Sequence, residues 1–574
     1  MNLGRNMESI HVENAGNDGQ PHTSMGAEQK STTRAVFLSR SGLWTALSLI
    51  YMANFVNLFV GTVILSLLPY VLSDFSAHGL LPIFQMVVKI ISGLSRMPMA
   101  KFIDAFGRTH GLLVSTALMI LGLLIQASAR NIAATGAAQI LHGIGWNSLD
   151  YVFTVLVADL TSLKNRTLAY GLYVTPVIAT SFVSPNVAEL LNNRLDWRWV
   201  FGASAFIVLA SSVPISIVLF RAGRTSRQTH MGESAPARRT TTLYRQKYKT
   251  LWTFFVQLEI PGVILAMTGL CLTLLPITLA NIVDNGYRNT SIIVMLVSGL
   301  VSMVGFVVWE KWLAPVTYMP WILMTDRNLI GGCLVVLACV GSVDSWAVYY
   351  GSYLQVVHDQ SITIAGYIIN TYPLVFAISA PLFGILVRVT GHYKHLALCA
   401  VPVLTLFTGL LLEFSNTDTA LGLLFMCQIL IGLSERVLTA TSQISVMSNI
   451  EHKNVAIAVG IWGTFLSIGA ALGMTVSGAI WNKVVPTVLE ASLPPENKSL
   501  TKHIFDSLPT QLQHPLGSPV RNAVITAYWA AQQKMVIVGI CVAPVAMAAG
   551  AMWKNVNIRN HQEDESTGTQ GVLW

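Results

Sequence analysis

Pro98-Met99-Ala100-Lys101-Phe102-Ile103-Asp104-Ala105-Phe106-Gly107-Arg108 is a short charged turn between two long apolar segments. It has a counterpart later in the chain. Gly384-Ile385-Leu386-Val387-Arg388-Val389-Thr390-Gly391-His392-Tyr393-Lys394 aligns with it so that Gly107 meets Gly391 and Arg108 meets His392. Each copy follows the second hydrophobic span of a group of six. Internal repeats of this kind are how many secondary transporters build two halves around a site near the bilayer midplane.

Composition agrees. Of 574 residues 53% are hydrophobic and only 11% charged, and the mean hydropathy is +0.58, whereas soluble domains carry roughly 25% charged residues. The chain is therefore an all-α polytopic membrane protein: apolar runs of about 20 residues cross ~30 Å of hydrocarbon as helices, which satisfy their own backbone groups there. A net charge of +8 invites a nucleic-acid reading, but the Lys and Arg are spread over short loops and one tail, where the positive-inside rule accounts for them. No nucleic acid is expected as a partner; the lipid bilayer is. All six cysteines fall in apolar spans, so they read as buried thiols rather than disulfides or metal ligands. No cofactor or metal site is expected.

Residues 1–40 are polar, without a leading apolar core, and read as a disordered cytoplasmic tail with no cleaved signal. Six spans (43–68, 79–99, 111–128, 132–158, 167–190, 199–220) make an N-terminal half over 41–220. A basic cytoplasmic connector covers 221–258. Two extra spans lie within 259–309, and a second half over 310–553 holds spans at 328–352, 362–387, 396–412, 420–447, 455–482 and 534–552. Fourteen spans, 6+2+6, put both termini on one side. Placing that side in the cytoplasm, with a tail at 554–574, leaves Lys101, Arg108, Lys164, Arg166, Arg327, Lys394 and Lys453 inside. The long outer loop 483–529 carries six prolines, which exclude a continuous helix, yet Leu489, Ile504, Phe505, Leu508 and Leu512 make it too apolar for a linker. It is expected to cap the outer mouth. Asn497-Lys498-Ser499 within it is a glycosylation candidate at Asn497.

The first turn resembles the cytoplasmic helix 2–3 loop of the major facilitator superfamily, although Ala100 replaces the leading glycine and Thr109 the second basic residue. Four stretches in order are similar to the fungal siderophore-iron transporter family within it: the 98–108 turn; Ala158-Asp159-Leu160-Thr161-Ser162-Leu163-Lys164-Asn165-Arg166; Gly469 through Trp481; and Gly517-Ser518-Pro519-Val520-Arg521 through Ala527-Tyr528, together with the long last outer loop. The fifth span lacks the glycines that flank its proline in drug:proton antiporters, and Gln139 stands where many superfamily members have arginine. The resemblance implies a major facilitator fold and import of ferric siderophore chelates by proton symport. It implies a monomer in the plasma membrane, with endosomal vesicles as a second location, and Tyr528 as an outer-loop contact. Iron would be cargo held by its chelator. The alternatives are proton-coupled efflux of a drug or secondary metabolite, and a non-transporting sensor, against which the short C-terminal tail counts. No phosphate loop, zinc pair or nucleophile elbow points to an enzyme.

Ionisable groups inside hydrocarbon cost at least ~2.5–3.5 kcal/mol and usually face a cavity or a partner. In the fourth span His142, Trp146, Asp150 and Phe153 share one helical face. The ninth carries Asp344 with Trp346, Tyr349 and Tyr353; the twelfth carries Gln428, Glu435 and Arg436; the second carries Lys89 and Arg96. As a functional set, Asp150, Asp344 and Glu435 are proton-coupling candidates. His142, Trp146, Phe153, Trp346, Tyr349, Tyr353, Gln428 and Arg436 are candidate walls of a substrate cavity. As a purely structural set, the charges pair between helices, Arg96 reaches the cytoplasmic face and the aromatics pack. Asp104, Gly107 and Arg108 are expected to latch the inner gate without touching substrate.

Overall fold

A computed structural model describes residues 40–161, 163–231, 256, 258–314, 317–320, 322–390, 392–414, 419–448, 450 and 455–554. Residues 1–39 and 555–574 of the two expected tails, the connector from 232 to 255, Gly391 and Lys453 lie outside the described residues, as do the side chains of Lys164 and Arg166. Among the described residues the chain forms fourteen long helical elements. In the N half they are α1 (Arg40–Asp74), α2 (Leu81–Phe106), α3 (Arg108–Ala127), α4 (Ile132–Leu160), α5 (Leu163–Val174 continued by Pro176–Arg194) and α6 (Trp197–Met231). The added pair is α7 (Ile260–Leu279) and α8 (Thr290–Val308). The C half holds α9 (Arg327–Ala347 continued by Tyr350–Val357), α10 (Ile362–Thr390), α11 (Tyr393–Glu413), α12 (Leu421–Met447), α13 (Val455–Ser492) and α14 (Pro519–Ala551). Side-chain caps start several of them: Asn131 accepts from the Ala134 amide at 2.8 Å, and Asp326 from Asn328 and Leu329 at 2.8 and 2.9 Å.

Thirteen described helices are long and apolar enough to cross a membrane, one fewer than expected. The exception is α4, which spends positions on Gln139, His142, Asn147, Asp150 and Asp159. It is long enough, at 29 residues, but too polar to stand alone in lipid. Three other expectations also change. Helix α13 runs through Pro486 to Ser492 and α14 already begins at Pro519, so the outer loop is shorter than 483–529. Proline at the first helical turn forfeits no hydrogen bond, and Ser518 caps α14 by accepting from the Arg521 amide at 3.2 Å. Helix α6 continues into the connector as far as Met231. Of the six cysteines, Cys399 and Cys541 are exposed on α11 and α14; on the outside of a bundle in lipid a thiol is simply one more apolar group.

Each half has its own core. Residues from Ala46 to Leu219 form one and residues from Val335 to Trp553 the other, but Leu68, Leu72 and Leu81 of the N half belong to the second. The halves are therefore fused at one end, the end bearing the 74–80 turn, which is the outer end under the orientation expected from the charge bias. Helices α2 and α13 cross at small residues: a side chain at Gly93 or Gly460 would collide with Ser467 or Met97. Helix α7 joins them in a third core of Met86, Ile90, Leu94, Val263, Ala266, Leu274, Ala470 and Met474. At the second crossing Gly366 of α10 lies against Pro185 of α5.

Candidate functional site

At the inner end α2 and α3 meet at Gly107, whose φ of 91° and ψ of 163° belong to backbone that glycine alone adopts readily. That turn sends Arg108 back across the helix ends. Its Nε donates to Asp159 Oδ2 at 3.0 Å and its Nη1 to Asp104 Oδ1 at 3.2 Å. Arg108 and Asp159 are largely buried, with side chains 11% and 6% exposed, whereas Asp104 is 60% exposed. The structure thus joins the 98–108 turn to the Ala158-Asp159 stretch at the foot of α4.

The three carboxylate candidates separate. Asp150 on α4 accepts from the Tyr173 hydroxyl of α5 at 2.8 Å, and the Tyr173 carbonyl in turn accepts from Asn54 of α1 at 2.8 Å. It belongs to a network inside the N half. Asp344 on α9 and Glu435 on α12 lie within electrostatic reach of each other and of Lys89 on α2. Lys89 is exposed midway along a helix whose neighbours Met86 and Ile90 are buried. An ammonium at that depth faces a cavity or a partner, and the two carboxylates of the C half are the charges within its reach. Glu435 also accepts a hydrogen bond from the Tyr372 hydroxyl of α10. Gly432 explains that contact: its missing side chain lets α12 approach the Tyr372 backbone, and Glu435, three residues on, shares the face. One turn from Tyr372, Phe376 lies under the Arg436 guanidinium, 4.9 Å from ring centre to Cζ, and Arg436 Nε is buried without a partner.

The aromatic candidates divide between two layers. Trp146 donates to the Asn57 carbonyl at 3.1 Å and covers Gly61 of α1; Phe153 is fully buried in the N-half core. His142 shares the helix with them, its Nε2 buried and unpartnered. Trp346 and Tyr350 meet edge to face at 5.3 Å, Tyr350 and Tyr353 stack at 6.0 Å, and Gln428 lies beside the Tyr350 hydroxyl. Tyr349 stacks on Trp481 at 3.7 Å and donates to the Gly79 carbonyl at 3.1 Å, which Asn482 also reaches at 2.9 Å. These contacts close the outer end. So do Tyr70 donating to Gln355, the Thr363 amide donating to Glu189 at 2.7 Å and Asn370 donating to the Ser181 carbonyl at 3.1 Å.

The outer loop folds over that closure as three short turns, Pro495–Leu500, Thr501–Asp506 and Leu508–Gln513. Ile504 and Leu508 enter the core, and the Leu508 amide donates to Ser73 of α1 at 2.9 Å. Burial pushes the Asp506 carboxyl up, against Lys502 and His503 beside it. Tyr528 is a buried residue of α14, under this cap rather than in a loop: its hydroxyl donates to Gln511 at 2.6 Å and its ring meets Trp481. Arg521 ties the region together. At 1% exposure it donates to the carbonyls of Val356 (3.1 Å), Gln511 (2.9 Å) and Gln355 (3.2 Å) and to Asp359 (3.2 Å). Asn497 is half-buried in the first turn.

Sequence reasoning did not single out Tyr372, Tyr173 or Arg521 as site residues. Tyr372 had a signal, a tyrosine beside Pro373 in an apolar span; Arg521 had the Ser-Pro helix start before it. Among the described residues no group of three or more His, Cys, Asp and Glu side chains is placed to hold a metal ion. A cleft of about 540 Å³ between α3 and α6, lined by Leu113, Ile120, Leu209 and Ile217, is apolar and stands apart from all three carboxylates.

The family model described as Major Facilitator Superfamily matches residues 50–357 and 332–485. The chain is 32% identical to the MFS siderochrome iron transporter 1 of Ajellomyces capsulatus, covering 98% of this chain and 95% of that protein. It is 31% identical to the siderophore iron transporter mirB of Emericella nidulans (96% and 90%) and 32% identical to the MFS siderochrome iron transporter B of Aspergillus fumigatus (90% and 84%). Among solved structures, the peptide transporter POT in complex with sulfate superimposes with a TM-score of 0.54 at 14% identity, covering 92% of this chain and 99% of that one. A bacterial homologue of the human lysosomal transporter Spinster also gives 0.54 at 14% identity, covering 90% and 97%. At such identities these two share the fold. With the repeat, the 6+2+6 helix order and near full-length relatives in hand, the chain belongs to the siderophore-iron transporter family of the major facilitator superfamily.

Proposed function

We propose that this transporter imports ferric siderophore chelates by proton symport, in the plasma membrane. The observation that carries this is the similarity to proteins named siderochrome or siderophore iron transporters over at least 84% of their length. The chemistry is compatible. A ferric chelate is bulky and brings its own iron ligands, so aromatic walls with a few polar groups suit it.

Asp344 and Glu435 are the proton-coupling pair in this proposal, with Lys89 as the cation of the opposite half that senses their charge and Tyr372 holding Glu435 in place. Protonating the pair removes the attraction for Lys89 across the halves, and this biases the alternation between outward and inward access. Asp150, held by Tyr173, is the second candidate. Arg436, Phe376 and Gln428 stand nearest for contact with the chelate, and the Asp104–Arg108–Asp159 ion pairs latch the inner gate.

The test is uptake of radiolabelled iron, offered as a panel of ferric siderophores, in yeast without its own siderophore carriers, with and without a protonophore. Uptake of one chelate that collapses with the protonophore is expected. Absence of uptake by protein shown to reach the surface would favour efflux. Glu435→Gln and Asp344→Asn are expected to abolish the pH dependence of uptake; if only Asp150→Asn does so, the coupling site belongs to the N half.

A further inference from the structure

Helices α7 and α8 have no counterpart in either group of six and no part in the site above, yet they are tied to both halves. Toward the C half, Thr278 donates to the Thr475 carbonyl at 3.2 Å, Asn281 to the Ala479 carbonyl at 3.4 Å, and the Tyr318 hydroxyl after α8 lies 2.8 Å from Thr464 Oγ1. Toward the N half, the tie at the inner end is an ion pair: Lys101 Nζ of α2 lies 3.0 Å from Glu259 Oε2. Lys101 follows Lys89 on α2 and comes just before the Asp104–Arg108 latch.

Glu259 is an unusual position for a carboxylate. It precedes α7 with a left-handed φ of 58°, is 2% exposed, and its Oε1 is buried without a hydrogen-bond partner. Glu310, in the Trp309–Leu313 turn that follows α8, is a second buried carboxylate and accepts from the Met319 amide at 2.5 Å. Among the described residues, the titratable groups acting on or around Glu259 are Lys101 from α2, Glu310 from α8 and Tyr318 from the loop after it; α13 contributes the Thr464 hydroxyl there.

We propose that Glu259 is a proton-controlled positioning residue: the added helix pair rides on the C half, docks against the inner end of α2 through Glu259 and Lys101, and docks more firmly when Glu259 is protonated. Burial pushes the Glu259 carboxyl up to about 7, Lys101 opposing the rise and Glu310 adding to it. A carboxyl raised when docked and ordinary when released favours docking in acid. The contribution is full below the ordinary value of about 4.3 and is lost as pH rises through the docked value. Above it, a carboxylate with one bare oxygen beside Glu310 occupies a site whose desolvation a single ammonium does not offset. An acid cytoplasm therefore holds α2 in this outer-closed arrangement. Since proton-coupled uptake acidifies that side, the pair acts as a brake; this physiological sense rests on the proposed symport, whereas the docking switch does not.

The test uses the full chain in nanodiscs, where both faces share one pH and no substrate is needed. Nitroxides are placed at His110→Cys and Ile264→Cys, with the exposed Cys399 and Cys541 changed to serine. A single short distance is expected near about pH 5, joined by a longer one that grows as pH rises and levels off above about 7. Glu259→Gln, an uncharged isostere, is expected to keep the short distance throughout. Lys101→Met removes the opposing cation and is expected to move the midpoint to higher pH, a shift that a merely structural contact would not produce. Distances that ignore pH, or a pH response that survives Glu259→Gln, would overturn the proposal, and neither outcome depends on whether siderophores are carried.

Discussion

Gly107 shows how much one residue carries. Its φ and ψ are open to glycine and costly to anything with a Cβ, so Gly107→Ala is expected to cost about 1–3 kcal/mol and to displace Arg108 from its two aspartates. The readouts are a fall in the melting temperature of the purified protein and loss of transport together. Asp159→Asn tests the other side of the contact. Among the described residues it leaves a largely buried guanidinium with the exposed Asp104 as counter-ion, and about 2 kcal/mol of stability should go with it; Asp104→Asn, at the exposed end, should cost much less. These residues were legible in advance because the turn is local: a glycine and three charges between apolar runs have few other uses. Asp150 was less so. Its position in α4 was plain, but that it answers to Tyr173, and not to the central cluster, depends on how α4 and α5 pack.

At the scale of elements, the outer cap was half visible. Its prolines and leucines announced a packed loop, yet α14 begins well inside it, because Ser518 and Pro519 together nucleate a helix that a proline count alone argued against. Arg521 of α14 then binds the cap and the end of α9 through four acceptors, three of them carbonyls. Arg521→Met is expected to cost on the order of 3 kcal/mol through those orphaned acceptors and to open the 493–518 segment to protease in intact cells, a digestion pattern that immunoblotting reads. Arg521→Lys should rescue little, since one ammonium cannot span the fork of acceptors. On the same element, a glycan at Asn497 is expected to disappear from the gel mobility of Asn497→Gln and after endoglycosidase.

For the molecule as a whole, the outer end is closed by contacts between halves while Lys89 stands in the open below them. Pro185 and Gly366 mark a close crossing between the halves, where a Cβ on residue 366 would lie 2.6 Å from that of Pro185. Pro185→Cys with Gly366→Cys should therefore form a disulfide after a small relaxation to ordinary Cβ separations near about 3.8 Å. Oxidation is expected to arrest uptake with the outer end shut, and reduction to restore it; transport unaffected by a verified crosslink would mean that this crossing does not move in the cycle.

By itself the sequence determined the solvent, the repeat, the helix order and the need for Gly107, because hydropathy, helical period and backbone sterics act over a few residues and are written locally. It also placed Asp344 and Glu435 in apolar spans, where their cost demands a partner. Which partner was a tertiary matter. Lys89 comes from the other half, Tyr372 from α10 by way of a glycine on α12, and Glu259 meets Lys101 only because α7 packs against both α2 and α13. Charges act through space over distances that no window of sequence covers, so packing alone decided which of them share a site.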